Sequence, residues 1–193
     1  GEVPITNFYP QKQSVWCWAA VSEMLMENSA AREHHDQCEQ ASKKANGSLS
    51  YCCVPHGGDP YIDPKIDLNL QFSGCNAGDY VPSSLARLKF QVRTAGVLPL
   101  YGSLLTLQEI QQQISCKHHL VGFRRSDNVS PFKDFKRFLH PTNHDMIIYG
   151  YVGDLLMIYD PGLDSKTKIT YDKFQDPVPF RLIETYYEVN KMP

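Results

Sequence analysis

Ser14 to Asn28 contains no glycine or proline, and Ser14 is placed to cap a helix. Val15, Trp18, Ala19, Ala20, Val21, Met24, Leu25 and Met26 put apolar groups on most sides of that helix. Such a helix has no face to give to water, so it belongs in the middle of a core. The chain has 193 residues, a length that suits one domain and buries roughly 70% of its unfolded surface. Hydrophobic residues are 42% and charged residues 21%, with a net charge of −2. That balance excludes bulk disorder and lacks the basic stripe of a dedicated nucleic-acid binder. No apolar run approaches the roughly 20 residues that a membrane span needs. The chain opens Gly1-Glu2-Val3-Pro4 with no leader, as expected for a processed mature form or for a chain lacking its leader.

The remaining elements follow in a definite order. Arg32 to Pro82 holds Cys38, Cys52, Cys53 and Cys75, with glycines and prolines clustered from Pro55 to Pro64, and reads as a loop-rich, stapled stretch. Leu85, Leu88 and Val92 predict a helix over Ser83–Thr94 that stops at Gly96. Thr106-Leu-Gln-Glu109 is a capping box opening a helix to about Ser115. Strands are expected over His119–Arg124, Asp145–Val152, Leu155–Asp160, Lys166–Tyr171 and Phe180–Val189, with a Gly153-Asp154 turn joining the second and third. Helices followed by an antiparallel meander indicate an α+β fold. We expect one domain over 1–193, helical and cysteine-stapled to about 115 and β from about 116.

Cys17 sits in the first turn of the apolar helix, between the chain's two tryptophans. Helix N-termini present unpaired N–H groups and a partial positive charge, an environment that stabilises a thiolate. Taken alone, Cys17 reads more readily as a buried structural cysteine, the commoner state of a free thiol. Its surroundings reverse that reading. The segment QKQSVWCWAA over 11–20 resembles the active-site helix of papain-like cysteine peptidases, in which a glutamine lies six residues before Cys-Trp-Ala. The resemblance implies that Cys17 is the nucleophile. It also implies that the Gln11 amide joins a backbone N–H in stabilising the oxyanion; removing one such donor typically costs about 10²–10³ in rate. Gln13 has the right chemistry but the wrong spacing.

A thiol nucleophile needs a base. Of seven histidines, His144 alone opens a strand that runs into a hairpin, NHDMIIYGYVGDLLMIYDPG, which is the papain-type histidine arrangement. His140 is a rival by proximity, and the others read as surface or loop residues. If 145–152 and 155–160 form a hairpin, Asp160 lies beside His144, where a carboxylate would fix the imidazole tautomer; the competing reading makes Asp160-Pro161-Gly162 only a turn. Asp145 is expected to point away. Papain has asparagine at this place. The Asp-Pro form is similar to bacterial branches of the family, such as bacteriocin-leader peptidases and an effector peptidase of plant pathogens. Order supports the resemblance along most of the chain: WCWAA at 16–20, QC at 37–38, CC at 52–53, CN at 75–76, HDMIIYGY at 144–151 and DP at 160–161. A departure is the long gap before His144, with PFKDFKRFLH at 131–140 read as an element bordering the cleft.

Cys38, Cys52, Cys53 and Cys75 are expected to form two disulfides. The adjacent pair bonds outward to Cys38 and Cys75, with the connectivity open. A zinc site is the alternative, but 13 and 21 intervening residues and an adjacent pair lack the usual C-x-x-C half-site. Disulfides imply an oxidising compartment, secreted or periplasmic, with delivery to a target cell as one route; Cys116 stays unpaired. Two glycosylation sequons, at Asn46 and Asn128, carry no weight. The reading is therefore a cysteine endopeptidase with a Cys17–His144–Asp160 triad and Gln11 oxyanion donor, without metal or cofactor. Its partners would be a protein or peptide substrate and an inhibitor or immunity protein, with no nucleic acid and no membrane span. A glutamine deamidase or transglutaminase-like effector would use the same apparatus, and a non-catalytic module on the same fold is the third reading.

Overall fold

The computed structural model describes residues 1–3, 7–12, 15–46, 52, 75, 78–96, 103–127, 143–176 and 180–193. Ser14, Gln13, Cys53, His140 and the 131–140 run lie outside them. The described residues form a mixed α and β structure. Its helices are α1 (Cys17–Glu27), α2 (Gln37–Asn46), α3 (Val81–Arg87), α4 (Leu107–Cys116) and α5 (Tyr171–Gln175). Its strands are β1 (Phe90–Gly96), β2 (Val121–Asp127), β3 (Asn143–Val152), β4 (Leu155–Asp160), β5 (Ser165–Thr170) and β6 (Phe180–Lys191). They make one antiparallel sheet in the order β1-β6-β2-β3-β4-β5.

The apolar helix takes the central position that its composition demands. Every residue of α1 from Cys17 to Met26 is buried, including Ser22 and Glu23. It packs on β3, β2 and β6 on one side and on α2 and α3 on others. Close approach to the sheet depends on Gly122: a Cβ there would stand 3.2 Å from Leu25 and 3.3 Å from Val21, both on α1. The helix begins with Trp16 as its N-cap residue, two positions after the Ser14 that the sequence suggests.

Two corrections concern local structure. The stapled stretch contains a helix, α2, that the loop-rich reading lacks. Its inner residues are mostly polar and hydrogen-bonded: Gln40 donates to the Ala19 carbonyl and accepts from the Ser84 hydroxyl, and Ser42 donates to the Cys38 carbonyl. The helix expected over Ser83–Thr94 ends at Leu88. Lys89 adopts a φ of 63°, which breaks the helix, and Phe90–Gly96 runs as a strand against β6. The sheet thus takes an edge strand from a part of the chain expected to be helical. Two smaller differences remain: β2 runs Val121–Asp127 where His119–Arg124 is expected, and Tyr171, expected to end a strand, opens the short helix α5. Thr106 and Glu109 complete the capping box of α4, and β3 and β4 form the hairpin through Gly153 and Asp154.

Cys52 and Cys75 are joined in a disulfide, one of the outward pairings open to the adjacent cysteines. Cys38 is disulfide-bonded too, and Cys17 and Cys116 are free thiols. The Cys52–Cys75 bridge does more than close a loop. The Cys75 carbonyl accepts a 2.8 Å hydrogen bond from the indole N–H of Trp16, the residue that begins α1. Closing a loop of sequence separation 23 contributes about 3 kcal/mol through the unfolded chain. Cys52→Ser/Cys75→Ser should lower the guanidinium-denaturation free energy by about that amount and make the Trp fluorescence transition begin earlier than loss of sheet signal. An unchanged midpoint would contradict this.

Candidate active site

Cys17 is the first residue of α1, and no side chain caps that end. The first turn also contains no acidic residue. Nothing within α1 itself therefore neutralises the positive end of the helix. The contrast with α4 is direct, since Thr106 and Glu109 satisfy that helix start reciprocally. Cys17 is 7% exposed, so the thiol sits in a largely dry place that still opens to solvent.

β3 and β4 bring the second and third groups together as the hairpin argument requires. His144 enters at the start of β3, and Asp160 closes β4. His144 Nε2 lies 2.7 Å from Asp160 Oδ1. The backbone N–H groups of Gly162 and Leu163 also donate to Oδ1, at 2.8 and 3.3 Å. The turn reading of Asp160 and its pairing with His144 therefore hold at once: the Asp-Pro-Gly turn fixes the carboxylate, and the carboxylate fixes the ring. Burial alone would raise the Asp160 carboxyl, but the bond and charge of His144, with the two backbone donors, outweigh it and hold it below its ordinary range. Burial alone would lower His144. Asp160 and Cys17, both in interaction with the ring, overcome that and push it up to about 9. With Nε2 engaged by Asp160, Nδ1 is the ring nitrogen left for a second partner.

Gln11 reaches the same place. Its backbone N–H donates to the Pro161 carbonyl at 2.8 Å. A Cβ on Gly162 would stand 3.0 Å from His144 Cε1, 3.2 Å from Asp160 Oδ1 and 3.2 Å from Gln11 Oε1. Gly162 is thus at the meeting point of three of the four candidate residues, where a Cβ would press tightly on all three.

Asp145 has a larger part than the sequence reading gave it. It does point away from His144, into the core, where it is 1% exposed. Yet its Oδ2 comes within 3.9 Å of Cys17 Sγ. Arg124 binds it through two contacts of 2.9 Å, and the Tyr186 hydroxyl donates to it at 3.2 Å. Cross-strand register explains the cluster: Arg124 stands opposite Asp145 on β3 and opposite Glu184 on β6. The same Tyr186 hydroxyl lies 3.0 Å from Glu184, its one hydrogen shared between the two carboxylates, and Tyr80 donates to Glu184 from outside the sheet. A row of charges thus crosses three central strands beneath Cys17. The signal was present, since charged residues interrupt the apolar runs LVGFRR and HDMIIYGY, but their pairing required the register.

An apolar cavity of about 410 Å³ lies on the sheet, walled by Phe123, Met146, Ile158, Phe174 and Leu182, with Asp160 at its border. Among the described residues no cluster of His, Cys, Asp and Glu is arranged to hold a metal ion. No helix among them is long and apolar enough to cross a membrane. Neither the protein-family models nor the curated proteins include a match to this chain.

The arrangement has two measurable consequences. The His144 pKa of about 9 lies above the ordinary 6.5, so its charged form stabilises the fold fully below about pH 6.5. That contribution is lost as pH rises through about 9. Asp160→Asn removes the charge that favours the imidazolium, so the midpoint of the His144 ring titration by NMR should move to lower pH; an unmoved midpoint would mean the pair is not electrostatically coupled. Separately, Asp145→Ala leaves the Arg124 charge buried without its partner and should cost about 3–5 kcal/mol in urea denaturation. A cost below about 1 kcal/mol, the range of an exposed ion pair, would contradict the burial of that row.

Proposed function

We propose that the chain is a papain-like cysteine peptidase that hydrolyses peptide bonds through a thioester on Cys17. The observation that carries this reading is the bond between Asp160 Oδ1 and a His144 ring that also interacts with the Cys17 thiol, the two supplied by a hairpin end and an uncapped helix start. An inert buried cysteine has no use for an imidazole held by a carboxylate that is itself held by two backbone donors.

The chemistry follows from those atoms. The imidazole takes the thiol proton at Nδ1, and Asp160 stabilises the resulting imidazolium through Nε2. The thiolate attacks the carbonyl carbon. Negative charge collects on the carbonyl oxygen, and on this reading the Cys17 backbone N–H and the Gln11 side-chain amide receive it. His144 then gives its proton to the leaving amine, the C–N bond breaks and a thioester remains. Water, activated by the same ring, attacks the thioester and releases the acid, and the thiol is restored. The disulfide-bonded cysteines support residence in an oxidising compartment, secreted or periplasmic.

Cys17→Ala should abolish cleavage across a fluorogenic peptide library while the circular dichroism spectrum stays unchanged. His144→Ala should be nearly as severe, and Asp160→Ala milder, because Asp160 orients the ring and transfers no proton. Iodoacetamide should label Cys17 faster than the exposed Cys116 at neutral pH. Retained cleavage in Cys17→Ala would end the peptidase reading. Products with side-chain amides converted and backbone intact would assign the same apparatus to glutamine deamidation.

A further inference from the structure

Residues 10 to 12 lie outside every helix and strand, although Gln11 among them is asked to hold an amide in place at the site. A segment of that kind needs an external hold. Gln37, at the start of α2, supplies one while fully buried. Its Nε2 donates to the Pro10 carbonyl at 2.9 Å, and its Oε1 accepts from the Lys12 N–H at 2.8 Å. One side-chain amide therefore bonds the backbone on both sides of Gln11, as a neighbouring strand would. The second hydrogen on Nε2 goes to Glu23 Oε2 at 3.2 Å. Glu23 lies on α1, is 1% exposed, and is held in turn by His34 Nε2 at 2.7 Å. From the opposite direction, the Gln11 N–H is bonded to the carbonyl of Pro161, next to Asp160. The backbone of Gln11 is thus tied to the helix that carries Cys17 and to the turn that holds the His144 partner.

We propose that Gln37 is a positioning residue that aims the Gln11 amide at the developing oxyanion. This rests on Gln11 being the side-chain oxyanion donor. The amide of Gln37 uses both its hydrogens and its oxygen in these bonds, so it has no alternative arrangement in its buried place. A donor displaced by about 1 Å can lose about 10² in rate, which makes a rigid clamp on residues 10 and 12 consequential for the amide between them.

Gln37→Met keeps the length and bulk of the side chain and deletes the amide. On the fluorogenic peptide that the library scan selects, kcat should fall about 10- to 10²-fold with KM little changed. Alkylation of Cys17 by iodoacetamide, a displacement that forms no oxyanion, should keep the wild-type rate. The Gln11→Ala/Gln37→Met double variant should be no slower than Gln11→Ala alone, because the clamp acts only through that amide. A wild-type kcat in Gln37→Met beside a slow Gln11→Ala overturns the clamp while leaving the oxyanion reading intact, and so do losses that simply add. A Gln11→Ala variant as fast as wild type removes the oxyanion reading and the clamp's role with it. If the methionine variant does not fold, Gln37→Asn, whose amide is one carbon too short to span both backbone groups, is held to the same outcomes.

Discussion

Everything in this structure is arranged around a helix that cannot face water. Because α1 is apolar on nearly every side, sheet, helices and disulfide-stapled chain must enclose it. Enclosure fixes its axis, and a fixed axis fixes where its N-terminus emerges. That end is where Cys17 stands. Full burial of its large side chains contributes on the order of 1.5–3 kcal/mol each, and there are many of them. Core packing therefore sets the thiol's position, and local bonds then adjust its surroundings.

Those surroundings use opposite charges in layers. On one side of the thiol is the His144 ring, raised to about 9 by partners that favour its charged form. Beneath lies the Asp145–Arg124–Glu184 row, held by Tyr186. A bare carboxylate at 3.9 Å from the sulfur would oppose a thiolate; Arg124 across the strand balances it. The row is costly to bury and costly to break, so it acts as a rigid floor. The same economy of contacts appears at Asp160, where one oxygen accepts from the ring and from two backbone groups.

Elements with apolar periodicity were legible in the sequence: α1, α4 and the strands from β2 onward follow from it. The Gly153-Asp154 hairpin turn puts Asp160 beside His144 on sequence grounds alone, because strand ends of a hairpin must meet. α2 was not legible, since Gln37, Gln40 and Ser42 make its buried side polar and no hydropathy pattern marks it. β1 was missed because Leu85 and Leu88 continue a helical spacing up to Lys89, and only a positive φ there ends it. The roles of Asp145, Arg124 and Gln37 depend on register and on distant backbone, which sequence spacing does not encode. Cys17, His144, Asp160 and Gln11, by contrast, each carried a local motif, and the structure brings all four to one place.

The thioester is the species on which the whole reading turns. Rapid mixing of the protein with an excess of an activated ester substrate, acid quench and intact-mass analysis would capture it. The expected result is one acyl group per chain, mapped to the peptide containing Cys17, released by hydroxylamine and formed in a burst faster than turnover. Turnover with no acyl-protein, or an acyl group mapped to Cys116 instead, would contradict it.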